Sequence, residues 1–162
     1  QPAIECDLTP ITLANSVRVR DFRGEDRVLE YRDKLTRNEV GFFSESGGKV
    51  IGSIWATINK AQAPTVVRAY IRLMPNEALI HDVVTGDKYR GMGVGPFMVG
   101  RIASILLNDY GVSRIVIDVN VRNSRSLRMM SRVGLQVKEQ VFYVSAFSRL
   151  VLQRTLRQYD YS

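Results

Sequence analysis

The stretch HDVVTGDKYRGMGVGP, residues 81–96, contains the chain's only histidine, a short apolar run and three glycines at alternate positions, Gly91, Gly93 and Gly95. Residues 79–85 are apolar and β-branched, which predicts a strand. Residues 97–110 predict a helix, with Pro96 where a first-turn proline is tolerated and Gly111 where a helix ends. The glycines therefore fill a strand-to-helix junction. Bare backbone of this kind adopts positive φ and lets another molecule approach closely. It leads into a helix N-terminus, whose unpaired amides and dipole favour negative charge. With the cation of Arg90 beside it, the stretch reads as a phosphate cradle. A tight turn alone would need one glycine, not three.

Two common phosphate loops do not fit. A kinase-type loop ends in Gly-Lys-Ser/Thr, whereas Gly95 is followed by Pro96 and Phe97. A dinucleotide-binding turn needs G-x-G-x-x-G. Counted from Gly91 its last glycine falls on Pro96, and counted from Gly93 it falls on Met98. Asp118 stands near the position of that motif's acid, but the glycine spacing is wrong.

Working outward, residues 16–20 (SVRVR) alternate polar and apolar, as a half-buried strand does. Residues 25–35 set Val28, Leu29, Tyr31 and Leu35 at near-helical spacing. Residues 40–44 and 50–58 read as a hairpin around Ser46-Gly47-Gly48-Lys49. In residues 59–78, Pro64 and Pro75 bracket TVVRAYIRLM, which is either a strand or part of a long loop. Residues 115–119 form a short apolar strand of the kind buried on both faces. Residues 124–133 predict a second helix stopped by Gly134, and 136–144 and 147–156 two last strands. The order β-α-β-β-β-α-β-α-β-β defines an α/β fold with a mixed sheet. Its first half is antiparallel and its middle is a βαβ unit with two parallel strands.

The 162 residues favour a single domain, 1–162, with a core over about 16–156. No apolar run approaches the roughly 20 residues of a membrane span, so no membrane partner is expected. The first residues lack a basic-then-apolar signal pattern, although a chain without an initial Met leaves a removed signal open. The single cysteine, Cys6, precludes an internal disulfide and suits a cytoplasmic protein. The formal net charge of +7 favours anionic partners such as nucleic acid, acidic lipid or a phosphorylated small molecule. Arg125, Arg128 and Arg132, with Arg122 just before them, form a basic stripe on the second helix, which is either a solvated face or a dock for phosphate. No aromatic residues interleave with it, which argues against a nucleic-acid partner.

The spacing Arg90-x-x-Gly93-x-Gly95 resembles the acyl-CoA pyrophosphate loop of the GNAT N-acetyltransferase superfamily. VRVRDFRGED (17–26) resembles that family's first strand and the start of its first helix. GGKVIGSIWATI (47–58) resembles its hairpin, and Asn123-x-x-Ser126 followed by Gly134-Leu135 its downstream signature. The resemblance implies acetyl-CoA as co-substrate, no metal, and transfer of the acetyl group to a primary amine of a small molecule or peptide. It places the CoA pyrophosphate on Arg90, Gly91, Met92, Gly93, Val94, Gly95 and Pro96. The pantetheine would run along Val83, Val84 and Thr85, with Asn123 and Ser126 on the CoA arm and an amide near Val84 for the oxyanion.

An amine must lose a proton before it attacks, and His81 is the only side chain here whose ordinary pKa suits that task. By itself a lone histidine is more readily a hydrogen-bonded core residue. The resemblance, in which several members place an acid or a histidine at this offset before the loop, favours the base. Asp82, its neighbour, should point to the opposite face by strand alternation. The family's usual acidic tyrosine would fall on Met130. Either Tyr143 protonates the departing thiolate, or CoA leaves as the thiolate, or the chain is a non-catalytic acyl-CoA-binding module. The short helical segment at 25–35 implies an open acceptor site, or one completed by a second subunit of a homodimer.

Overall fold

The computed structural model describes residues 2–68, 70–146 and 149–159, with the side chains of 144–146 and 149–151 left aside. The chain begins with β1 (Asp7–Pro10), a 3-10 helix (Ser16–Asp21) and α1 (Arg27–Thr36). It continues through β2 (Val40–Ser46), β3 (Lys49–Ile58), β4 (Thr65–Arg68), β5 (Ile71–Leu73) and β6 (Glu77–Thr85). A 3-10 turn (Asp87–Tyr89), α2 (Val94–Asn108), β7 (Arg114–Ile117), α3 (Ser124–Arg132), β8 (Glu139–Ala146) and β9 (Arg149–Gln158) complete it. The first two residues of the expected last strand, 147 and 148, lie outside the described residues.

The main sheet has the order β1-β2-β3-β6-β7. Its pairs are antiparallel except β6–β7, which is parallel. This is the mixed sheet with a βαβ unit that the sequence predicts. The β2–β3 turn closes with Ser46 opposite Lys49, and Gly47 and Gly48 both take positive φ (56° and 76°). Two-residue hairpin loops of this twist require that conformation at both positions.

Both faces of the sheet are covered, and the two-residue period decides which side chain goes where. Phe42, Ile54 and Ile80 turn toward α2, packing with Met98, Ile102 and Leu106. Phe43 and Trp55 turn the other way, onto Val28 and Tyr31 of α1 and Val19 of the first 3-10 helix. The Tyr31 ring meets Trp55 edge-on at 5.1 Å.

One expected strand is absent. Residues 16–20 form the 3-10 helix, and the edge strand of the sheet is instead β1. The cause lies just upstream. Thr12 N–H donates to Asn15 Oδ1 and Asn15 N–H to Thr12 Oγ1, closing a local turn that starts the chain coiling. Val19 is then fully buried on α1's side of the sheet, so the alternating pattern serves one turn of helix instead. The ambiguous residues 59–78 contain the small β4–β5 hairpin. Buried Asn59 holds its base, donating to Ala63 O and Leu73 O and accepting from Ala61 N–H and Thr65 Oγ1.

Candidate active site

The glycines between β6 and α2 have two different roles. Gly91 and Gly93 take φ of +84° and +82°, a region that costs an L side chain ~1–2 kcal/mol. Gly93 stands immediately before α2. Among the described residues, no protein group accepts a hydrogen bond from the amides of Gly91, Gly93, Val94 or Gly95. These N–H groups gather at a helix N-terminus, with the donor geometry an anion needs. Gly95 has ordinary φ but close neighbours. A Cβ there would lie 2.9 Å from Met129 Sδ and 3.9 Å from Thr85 Oγ1, so this glycine lets α3 and the end of β6 approach α2. Pro96 sits inside the first turn of α2, where its missing N–H leaves no gap in the helix.

Arg90 is exposed and pairs with Asp87 at 2.8 Å. A second cation stands nearby, because Arg125 Nη2 is 3.8 Å from where a Gly91 Cβ would be. Met92 N–H donates weakly to Tyr89 O (3.4 Å). Met92 O accepts from Ala3 N–H, so the start of the chain lies against the loop.

Next to the cradle the sheet forks. β6 and β7 pair only from Glu77↔Arg114 to Ile80↔Ile117. Farther along, Val84 and Thr85 pair with Ser53 and Gly52 of β3. Their other edge has no strand partner among the described residues. The gap holds a cavity of about 220 Å³ lined by Val83, Val119, Asn123, Ser126 and Met130, among others. Asn123 precedes α3, and its Oδ1 accepts from Ser126 N–H at 3.0 Å, so both residues also cap that helix. Met130 is buried, at 7% exposure, and gives this wall a thioether where the sequence resemblance led us to look for a phenol.

At the fork the structure corrects one expectation. Asp82 does not oppose His81. It has φ +47°, and the β3–β6 register slips there: Ser53 faces Val84 and Trp55 faces His81, leaving Asp82 and Val83 opposite Ile54 alone. This is a β-bulge, and its extra residue resets the alternation. His81, across from Trp55, faces α1, and Asp82 joins it there, held by Lys34 Nζ at 2.5 Å and Arg23 Nη1 at 3.3 Å.

His81 Nε2 lies 3.0 Å from Thr57 Oγ1 and 3.2 Å from Glu39 Oε2. The second contact is off the hydrogen-bond direction, so Glu39 Oε2 is buried without a hydrogen-bond partner among the described residues. Arg37 holds Oε1 at 3.0 Å. Burial pushes the Glu39 carboxyl up, but the neighbouring His81 and Arg37 outweigh it, and the group lies below its ordinary range.

A second cavity, about 500 Å³, opens on the α1 side between Glu30, Lys34, Glu39 and Thr57. Arg68, His81 and Asp82 line both cavities and mark where they meet.

Tyr143 is 42% exposed and lines neither cavity. It stacks on Tyr70, with ring centres 4.0 Å apart, and Tyr70 Oη donates to Asp118 Oδ2 at 2.7 Å. Burial first, then Asp118, holds the Tyr70 phenol well above its usual range. Arg68 Nη1 binds both Asp118 oxygens, at 2.8 and 2.9 Å, tying the β4–β5 hairpin to the end of β7.

The sequence reading does not find Glu39, Arg68 or Asp82. Glu39 and Arg68 reach the site from segments far away in sequence, and only the bulge turns Asp82 inward.

A phosphate-type cradle, a forked parallel pair and a cavity at the fork together define an acyl-CoA transferase fold. Residues 11–135 match the Acetyltransferase (GNAT) family, and the chain belongs to it. Similar solved structures include the aminoglycoside N-acetyltransferase AAC(6')-Iy in complex with CoA. It has 15% identity and a TM-score of 0.70 over 88% of this chain and 95% of that one. The 6'-N-acetyltransferase AAC(6')-Ih from Acinetobacter baumannii has 16% identity and a TM-score of 0.66, covering 88% and 98%. A ribosomal-protein-alanine N-acetyltransferase from Brucella melitensis has 12% identity and a TM-score of 0.65, covering 88% and 100%. At these identities the likeness is one of fold. No curated protein sequence gives a significant match.

Proposed function

We propose that this chain transfers an acetyl group from acetyl-CoA directly to a primary amine of a small molecule or peptide, with His81 as general base. The carrying observation is that two cavities, one at the fork of β6 and β7 and one on the α1 face, share His81 and Asp82 in their walls. The acyl end of acetyl-CoA would occupy the first. Its diphosphate would take the amides from Gly91 to Gly95, with Arg90 and Arg125 nearby. Its pantetheine would follow the free edge of Val83, Val84 and Thr85 past Asn123 and Ser126. The amine enters from the second cavity.

Of the two proton acceptors shared by the cavities, Asp82 is already engaged by Lys34 and Arg23. His81 takes the ammonium proton, and the amine nitrogen attacks the thioester carbonyl carbon. A backbone amide near Val84 holds the oxyanion, and collapse breaks the C–S bond. CoA then departs as the thiolate, whose ordinary pKa lies within about two units of neutrality; Tyr143 lines neither cavity and offers no direct proton route.

The test pairs thermal shift with thiol release. Acetyl-CoA should raise the melting temperature, and an amine panel should release CoA. His81→Ala should lower kcat/KM by ~10²–10⁴-fold. Full activity with an unchanged pH profile in His81→Ala would remove His81 as the base. Buried Met130 favours a second reading, a non-catalytic acyl-CoA-binding module. That reading predicts the thermal shift without any thiol release.

A further inference from the structure

The α1-side cavity is walled by charge, and its carboxylates are already engaged. Glu30 contacts Arg27 at 2.6 Å and Lys34 at 3.0 Å. Asp82 contacts Lys34 and Arg23. Glu39 contacts Arg37 through Oε1, while its Oε2 is closed off from solvent behind His81. No carboxylate in this wall remains to neutralise an incoming ammonium. Three cations, Lys34, Arg37 and Arg68, line the same cavity as these three carboxylates, and one of them keeps free donors. Arg23 and Arg27 stand behind the acids. Arg68 uses only Nη1 on Asp118. A guanidinium carries five N–H donors in a flat fork, so it keeps donors that match a carboxylate. Arg68 also stands where the two cavities meet.

Resting on the acetyltransferase reading above, we propose that the acceptor is amino-acid-like: one reacting amine together with its own carboxylate, which Arg68 binds. A second ammonium would be placed among cations with no free carboxylate to meet it. Polyamines and diamines are therefore rejected. The amine that does react reaches His81 and loses its charge there, so it needs no standing counter-ion.

The wild-type protein supplies the first test. Acetyl-CoA thiol release is measured with ω-amino acids from glycine to 6-aminohexanoate, the alkylamines of matching length, the matching diamines, and spermidine. At the best length the amino acid should exceed its alkylamine in kcat/KM by about tenfold, the worth of one charge-assisted contact, and the diamine should fall below both. Arg68→Gln should bring the ratio of amino acid to alkylamine close to one. Arg68→Lys, which keeps the charge and loses the fork, should restore part of it. Because the readout is a ratio within each variant, a loss of folded protein does not mimic the effect.

Preference for diamines or spermidine would overturn the proposal while leaving the acetyltransferase reading in place. So would a ratio that Arg68→Gln leaves unchanged. Thiol release with no member of the panel would overturn this proposal, and no thermal shift with acetyl-CoA would overturn both.

Discussion

Gly93→Val separates the fold's need for a left-handed residue from the cofactor's need for bare amides. Gly93 has φ +82° and ψ 5° and immediately precedes α2. A β-branched residue there is strained by about 1–2 kcal/mol in the apo protein. For a chain of this length that corresponds to a fall in melting temperature of about 2–8 °C. CoA binding should suffer more. Rotating this peptide withdraws one or two of the unpaired amides from the diphosphate. Each hydrogen bond to a charged group is worth about 1.5–3 kcal/mol, so CoA affinity should drop by roughly 10- to 10⁴-fold. Gly48→Val is the matched control. Gly48 has φ +76° with nothing within 4 Å of an added Cβ, and it lies in the β2–β3 turn. Differential scanning fluorimetry reports the apo cost, and calorimetric titration with CoA reports affinity. The two variants should lose similar stability, and only Gly93→Val should lose CoA. If both lose the same stability and both keep wild-type CoA affinity, the amides at 91–95 do not hold the diphosphate and the cradle argument is wrong.

Three further outcomes are expected. Gly52→Ala places a Cβ 2.6 Å from Val84 O, a backbone atom that cannot turn aside. It should cost about 1–3 kcal/mol by chemical denaturation and raise the KM for acetyl-CoA, because the strand it displaces is the one proposed to carry the pantetheine. The Arg114 hydrogen bond holds the Glu77 carboxyl below its ordinary range. Such a group stabilises the fold above the unfolded carboxylate value and loses that contribution as pH falls through its own lower pKa. Glu77→Gln should thus cost about 1–2 kcal/mol at pH 7, discounted for a half-exposed Arg114, and nothing once Glu77 is protonated. Equal destabilisation at pH 7 and pH 2 would contradict this. Glu39→Gln should move the acidic limb of the kcat/KM profile, since Glu39 contacts His81 and no other base candidate. A profile that keeps its shape would show that the contact does not govern His81.

The parts of the molecule that were legible in sequence are those set by local chemistry. The glycine junction, α2, the Ser46–Lys49 turn and the parallel pair follow from backbone permissiveness, helix-end residues and a two-residue period. The misread segment, residues 16–20, fails for a local reason too. Five alternating residues fit one turn of 3-10 helix as well as a strand, and the Thr12–Asn15 bonds select the helix. The α1-side cavity was not legible, because α1, the residue before β2, β3, β6 and the β4–β5 hairpin all contribute to it. Whether an arginine faces a carboxylate or open solvent is decided by packing, and Arg37, Arg68 and Lys34 look alike in the sequence.

The bulge at Asp82 explains why these pieces amount to one site. A regular β6 would send His81 and Asp82 to opposite faces and would keep its full length in register with β3. One extra residue opposite Ile54 turns Asp82 toward Lys34 on the α1 face. Val83 remains at the cavity beside β7, and Val84 and Thr85 resume pairing with β3. The pairing with β7 has already ended at Ile80, so the peptide edge after the bulge faces the fork and not a neighbouring strand. A strand that continued to pair with β7 would close the cavity proposed to hold the acyl group, and one without the bulge would remove a wall from the α1-side cavity. The positive φ at Asp82, a conformation uncommon outside glycine, is therefore the local strain on which both halves of the proposed site depend.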